Sequence, residues 1–174
     1  MILRLSKTLL VAAVAFFYTL LVFNNLTDYG SNYAFVHHVL LMDSTFPGNH
    51  GMWRSIHSQW MQSAFYDSII GWEVLTMVLL WVGAVKLVRA VGNPGVAFRE
   101  AKTLAVGGLT VSLLMWFVAF LSVGGEWFLM WQSPTWNGQE AAFRMFLVVG
   151  VVLLFLVMPE GNDAVWGTPG KMNM

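Results

Sequence analysis

The sequence contains no cysteine among its 174 residues. This absence excludes disulfides, thiolate metal sites, iron–sulfur clusters and thiol redox catalysis together. The compartment of each loop therefore has to be inferred from the distribution of charge.

Charge is also scarce in this chain. Charged residues make up 10% of it, whereas a soluble domain carries about a quarter. Apolar residues make up 57%, and the formal net charge is zero. With no basic block, nucleic-acid binding has no electrostatic basis. The composition predicts an all-α integral membrane protein, so the lipid bilayer is its first expected binding partner.

Several catalytic and transport signatures are missing too. The chain has neither an HExxH motif nor a Glu-x-x-His pair on a bundle helix. It shows no internal repeat and no broken mid-membrane helix, which disfavours a proton-coupled transporter. Because no catalytic constellation is complete, the sequence favours a protein that is not an enzyme, and it identifies no cofactor.

Four apolar runs predict a four-transmembrane-helix bundle in one domain, residues 1–158. We expect spans at about residues 3–24, 67–91, 103–127 and 141–158, an outer cap over residues 25–66 and a cytoplasmic tail over residues 159–174. The basic start of the first run also fits a cleavable signal peptide. No small-x-small cleavage pattern follows Phe23, which favours a retained first helix.

The cap is predicted to be helical and lies between the first and second spans. Apolar spacing indicates short helices over Tyr33–Met42 and Met52–Gln62, separated by a loop rich in glycine and proline. Neither helix is long enough to cross a membrane, so both are expected to fold over the outer face of the bundle.

Basic residues near the helix ends predict the orientation. One side of the membrane collects Arg4, Lys7, Lys86, Arg89, Arg99, Lys102 and Lys171. The other side collects only Arg54 and Arg144. This bias predicts that both termini are cytoplasmic and that the cap lies outside.

Ionisable residues inside the predicted spans are the first candidates for a site, because charge is costly in hydrocarbon and usually faces the bundle interior. In an up-and-down bundle Glu73, Glu126 and Arg144 share one depth, and the simplest interpretation is a structural network bridged by Arg144. One negative charge then remains for a proton, a metal ion, a protonated histidine or a cationic ligand. Alternatively, Glu126 or Arg144 reaches out to the interface. The full candidate set for a ligand site or charge network is Glu73, Glu126, Arg144, Asn24, Asn25, Asp28, Trp127 and Asn137.

A metal site is a second, weaker candidate. All four histidines fall between residues 24 and 67. His38, His57 and Asp43 are the candidate ligands, because imidazole and carboxylate together suit divalent metals. The alternative is that these are ordinary interfacial histidines that form hydrogen bonds.

Small residues recur along the predicted spans. Gly71, Gly83, Gly107, Gly108 and Gly150 permit close approach between helices. Packing within the bundle is favoured over a seam between two copies.

Four segments at the outer side look like one known family. They are Asn25–Asn32, His38–Asp43, Gly124–Phe128 and Met130–Gln139. They resemble the bacterial "predicted small integral membrane protein" family, a domain-of-unknown-function group, over nearly the whole chain. The resemblance implies a four-helix inner-membrane protein of bacteria, in which the outer cap predicted above would be periplasmic. It implies no activity, substrate or cofactor.

Two functions remain in view from the sequence. The first is a non-enzymatic accessory or self-assembling subunit of a membrane complex, with a membrane-protein partner or a second copy of itself. The second is a protein that binds metal, quinone or lipid in the outer leaflet. A redox-linked role is one version of this second function.

Overall fold

The structure, a computed structural model, describes residues 1–159. The predicted tail therefore lies outside the described residues, apart from Pro159. Within the described part the elements are α1 (Ile2–Thr27), α2 (Tyr29–Leu41), a 3-10 turn (His50–Arg54), α3 (Gln59–Ala90), α4 (Gly95–Leu114), a π-helical continuation of α4 (Met115–Trp127), a second 3-10 turn (Met130–Gln132) and α5 (Gln139–Val157).

Four helices are long and apolar enough to cross a membrane: α1, α3, α4 with its continuation, and α5. No strand occurs in residues 1–159. These features confirm the predicted all-α fold with four candidate spans. A membrane imposes this pattern because backbone polar groups in hydrocarbon must be satisfied within the helix itself.

The helix predicted from Tyr33 to Met42 is present as α2, which begins four residues earlier. The second short helix, predicted over Met52–Gln62, is not formed. A 3-10 turn ends at Arg54, the chain extends through Ser58, and α3 begins at Gln59. Here the Ile56 N–H donates to the Leu40 carbonyl (2.8 Å) at the end of α2. This long-range hydrogen bond replaces a helical one, and apolar periodicity does not reveal it.

A continuous apolar core joins the four spans. It is built from fully buried side chains such as Val11, Leu80, Leu109 and Val149. Polar groups within it are paired, as buried polar groups must be. The Tyr18 hydroxyl shares a 2.6 Å hydrogen bond with Ser112 Oγ and accepts a 3.0 Å hydrogen bond from Trp116 Nε1. The first and third spans are thereby joined at mid-bundle.

Two glycines set the spacing between α3 and α4. A Cβ at Gly83 would lie 2.7 Å from the Ala105 backbone nitrogen, and one at Gly108 would lie 2.9 Å from Leu80. Gly71 and Gly107 have no neighbour within 4 Å of such a Cβ. The predicted close approach within the bundle is therefore confirmed at Gly83 and Gly108.

At the end of the bundle that holds residue 1, basic side chains bond to the ends of helices. Arg4 donates to the carbonyls of Val91 (3.2 Å) and Asn93 (2.6 Å), just beyond α3. Buried Lys7 donates to the Met158 carbonyl at the end of α5. These bonds satisfy carbonyls that have no partner inside their own helices.

The opposite end carries a second apolar cluster under α2. Val36 and Leu40 pack there against Tyr66, Ile70 and Phe128. Each of the five side chains is at most 9% exposed, so α2 is packed onto α3 and the end of the π-helical segment. This arrangement places α2 beside the site described next.

Candidate functional site

The most deeply buried acidic group within the spans is Glu73, which is 3% exposed. Asn25 Nδ2 donates to Glu73 Oε2 (2.5 Å), and Asn25 Oδ1 accepts from the Tyr66 hydroxyl (3.2 Å). Tyr66 and Asn25 are also buried, at 2% and 4% exposed. The three side chains form a polar network that joins α1 to α3 in an otherwise apolar surrounding.

This network continues toward the exposed surface through aromatic side chains. The Tyr29 ring packs edge-on against Tyr66, with 4.6 Å between the ring centroids. The Tyr29 hydroxyl donates to Asp67 Oδ1 (2.8 Å) at an exposed position. Polar groups thus extend from Glu73 to the end of the bundle beside α2.

A buried glutamine fastens α2 to the first turn of α3. Gln62, 1% exposed, shares a 2.7 Å hydrogen bond with His37 Nδ1 through its Oε1 and accepts a longer one from the Tyr33 hydroxyl (3.3 Å). Its Nε2 donates to the Ile56 carbonyl (2.6 Å). Gln62 therefore bonds both to α2 and to the chain before α3.

The other two ionisable candidates lie apart from Glu73. Glu126 and Arg144 are exposed, and within residues 1–159 no ion pair joins either of them to Glu73. The expected bridge from Arg144 is therefore not present. A shared depth does not decide which way a side chain faces, and each of these two projects from its helix to the outside.

Three of the remaining candidates, Asn24, Asp28 and Asn137, form hydrogen bonds with residues close to them in the chain. Asn24 is exposed, and its carbonyl accepts from the Asp28 N–H (2.8 Å) at the end of α1. Asp28 accepts from Ser31, and Asn137 Oδ1 accepts from a backbone N–H two residues on. Trp127 is 48% exposed. Of the predicted set, the structure brings together Asn25 and Glu73.

The candidate metal ligands are divided. His38 Nδ1 lies 2.7 Å from Asp43 Oδ2, and the His38 ring stacks on Trp136 with 4.5 Å between centroids. His57 instead pairs with Ser55 (3.0 Å). No group of three His, Asp or Glu side chains suited to a metal ion occurs in the described part of the chain.

An apolar cavity of about 200 Å³ lies between α2, α3 and the π-helical segment. Its walls include Phe35, Leu40, Ile69, Trp72, Phe120, Val123 and Phe128. Phe65, Ser68 and Val118 also line it and are exposed side chains, so the cavity is open to the surroundings of the bundle. Its chemistry is that of hydrocarbon, with almost no polar surface.

The π-helical segment, Met115–Trp127, shapes one wall of this cavity. Its last turn is closed by the Phe128 N–H, which donates to the carbonyl of Val123, five residues earlier (2.9 Å). Wider turns of this kind are rare and are frequently found at functional sites. The segment places Phe120, Val123 and Gly124 on the cavity side.

Sequence reasoning missed Tyr66, Gln62 and the cavity. Tyr66 lies seven residues before Glu73, a spacing that puts both on one helical face. The signal was hidden because the second span was predicted to begin at residue 67 rather than at Gln59. The cavity had no sequence signal, since its walls are ordinary apolar residues from three separate elements.

Four long apolar helices around a common core define a multi-span integral membrane protein. The chain belongs to the family described as "Predicted small integral membrane protein (DUF2165)", whose profile matches residues 3–159. The resemblance noted from the sequence is thereby confirmed. No curated protein and no solved structure matches the chain.

Proposed function

We propose that this protein binds a phospholipid by holding part of one acyl chain in the cavity between α2, α3 and the π-helical segment. The observation that carries the proposal is the cavity itself: about 200 Å³, apolar and open beside Phe65 and Val118. A cavity of roughly 150 Å³ in a soluble protein already stays dry and binds benzene.

The surroundings determine the occupant. A lipid bilayer surrounds the four spans, so acyl chains are the molecules next to the opening of the cavity. Water is disfavoured inside because it finds no polar partners there. An empty cavity forfeits dispersion contacts along its whole lining. A hydrocarbon chain restores those contacts and has no hydrogen bonds to lose.

Filling the cavity tests this function. We expect Ala119→Phe, on the cavity wall, to abolish retention of one phospholipid that the wild-type protein keeps after its loosely bound lipids are stripped. The measurement is native mass spectrometry of the purified chain with added dioleoylphosphatidylglycerol. Ala141→Phe, at an exposed position outside the cavity, is the matched control and should retain the lipid. Equal retention in both variants, or none in the wild type, contradicts the proposal.

A second candidate function is an accessory or self-assembling subunit of a membrane complex. It is favoured by the aromatic surface beyond α2, where Trp53 is 72% and Trp60 78% exposed. The same spectra report the mass of the intact particle in mild detergent. A second copy or a protein partner supports this candidate, whereas a lone chain with a retained lipid supports the first.

The orientation is a further part of the proposal. We place the chain as a single four-helix domain in the bacterial inner membrane, with both termini cytoplasmic and residues 25–66 as a periplasmic cap. The support is the asymmetry of basic residues, since Arg4, Arg99 and Lys102 lie at one end and Arg54 and Arg144 toward the other. The Asn25–Glu73 network then lies in the half nearer the periplasm.

The absence of cysteine makes this orientation directly testable. We expect Asn32→Cys, at an exposed position of α2, to react with a membrane-impermeant maleimide in intact cells. Gly92→Cys, where an added Cβ meets open space, should react only after the membrane is permeabilised. Labelling is read by gel shift of the purified chain, with the cysteine-free wild type as the blank. The reverse pattern overturns the orientation.

A further inference from the structure

Arg54 is a basic side chain in the segment between α2 and α3, and two tryptophans enclose it. Its guanidinium carbon lies 5.4 Å from the centre of the Trp53 ring and 5.0 Å from that of Trp127. The two indoles meet edge-to-face, with 5.7 Å between centroids. Contact with ring faces orients a guanidinium and adds cation–π attraction without neutralising its charge.

The guanidinium is only partly satisfied by the protein. Nη1 donates to the Trp127 carbonyl (3.1 Å), while Nε is buried and has no hydrogen-bond partner within residues 1–159. No ion pair joins Arg54 to an acidic side chain in the same range. An arginine has five N–H donors, and its fork geometry matches the oxygens of a phosphate.

Arg54 is connected to the wall of the cavity along two routes. Trp127, to which it bonds, directly precedes Phe128 on the cavity wall. On the other side, Ile56 lies two residues after Arg54 and donates its N–H to Leu40, another wall residue. Two hydrogen bonds and short stretches of chain therefore link this cation to two residues of the cavity wall, Phe128 and Leu40. Two exposed tryptophans flank that end of the bundle, the arrangement expected near a membrane surface.

We propose that Arg54 binds the phosphate of the phospholipid whose acyl chain occupies the cavity. This inference rests on the proposed function and deepens it by naming the headgroup chemistry. The chain supplies affinity by filling the cavity, and the Arg54 fork selects lipids that carry a phosphodiester. Trp53 and Trp127 act as positioning residues that hold the fork in place.

The test compares a lipid with and without a phosphate. Binding of dioleoylphosphatidylglycerol and of dioleoylglycerol to the purified full chain is titrated by native mass spectrometry. We expect the wild type to prefer the phosphate-bearing lipid about tenfold, the size expected for one charge-assisted hydrogen-bonded pair. Arg54→Gln should remove that preference and leave dioleoylglycerol binding unchanged. Arg54→Lys, which keeps the charge but not the fork, should retain an intermediate preference.

Arg144→Gln is the matched control, because Arg144 is also a basic residue on the predicted outer side and is exposed. It should leave both lipids bound as in the wild type. An equal loss in Arg54→Gln and Arg144→Gln shows a general charge effect and overturns the inference. Full displacement of the lipid by millimolar inorganic phosphate also overturns it, since the anion site then takes free phosphate instead.

The two proposals fail in different ways. A wild-type protein that binds both lipids equally contradicts the role of Arg54 alone and leaves the cavity function standing. A wild-type protein that binds neither lipid contradicts both proposals.

Discussion

Gly83→Ala is expected to destabilise the protein by about 2 kcal/mol, which lowers Tm by about 4–8 °C for a chain of this size. The added Cβ would lie 2.7 Å from the Ala105 nitrogen and 2.8 Å from the Ala105 Cα. Both are backbone atoms of α4, so no side chain can rotate away. The two helices have to separate, and dispersion contacts along their crossing are lost.

The control substitution has the opposite expected sign. Gly107→Ala adds the same methyl group to α4 where no atom beyond the adjoining backbone of α4 lies within 4 Å of the new Cβ. Alanine is a better helix former than glycine by up to about 1 kcal/mol, so this variant should be as stable as the wild type or more so. Tryptophan fluorescence during heating in detergent reports both transitions. Equal shifts for the two variants would show that α3 and α4 do not cross closely at Gly83.

Asn25→Leu is the second substitution with a large expected effect, a loss of about 2–3 kcal/mol. It removes the donor to Glu73 Oε2 and the acceptor of the Tyr66 hydroxyl at a site where all three side chains are buried. The cost arises because a buried polar group that loses its partner keeps its full desolvation penalty. Asn24→Leu, at the exposed neighbouring position, should change stability by no more than about 0.5 kcal/mol.

A double substitution separates the pairing from simple loss of packing. Met is similar in length to Glu and fills irregular apolar gaps, so Glu73→Met removes the orphaned carboxyl group while keeping the volume. The double variant Asn25→Leu with Glu73→Met should therefore be more stable than Asn25→Leu alone by at least about 1 kcal/mol. Polar pairs between membrane helices couple by about 0.6 kcal/mol on average, so this pair is expected to exceed that average. Additive losses would contradict a direct Asn25–Glu73 interaction.

The sequence predicted much of the fold and part of the candidate site. The apolar runs predicted four spans because each is long enough to cross hydrocarbon as a helix, which satisfies its own backbone hydrogen bonds. Glu73 was singled out because a carboxyl group within a span demands a partner. Asn25 was in the same set, and its amide proved to be that partner. Arg144 was the expected bridge because opposite charges at one depth attract, yet it is exposed.

The missing information concerned direction and long-range contact. Periodicity and hydropathy predict the depth of Glu126 in the membrane. They do not predict the direction in which its side chain faces, because the π-helical segment changes the angle between successive side chains. They give an apolar Phe128, but not the void that it shares with Leu40 and Trp72. They give a basic Arg54 in a loop, but not the two indoles that enclose it.

Composition and periodicity thus sufficed for the class of protein and the four spans, because both depend on the solvent around a single helix. The family followed from the resemblance of the four outer segments, which the family profile confirms. The Asn25–Tyr66–Glu73 network, the close crossing at Gly83 and the apolar cavity depend on the relative rotation and spacing of different helices. Those quantities follow from how side chains far apart in the chain pack together, and no local pattern encodes them.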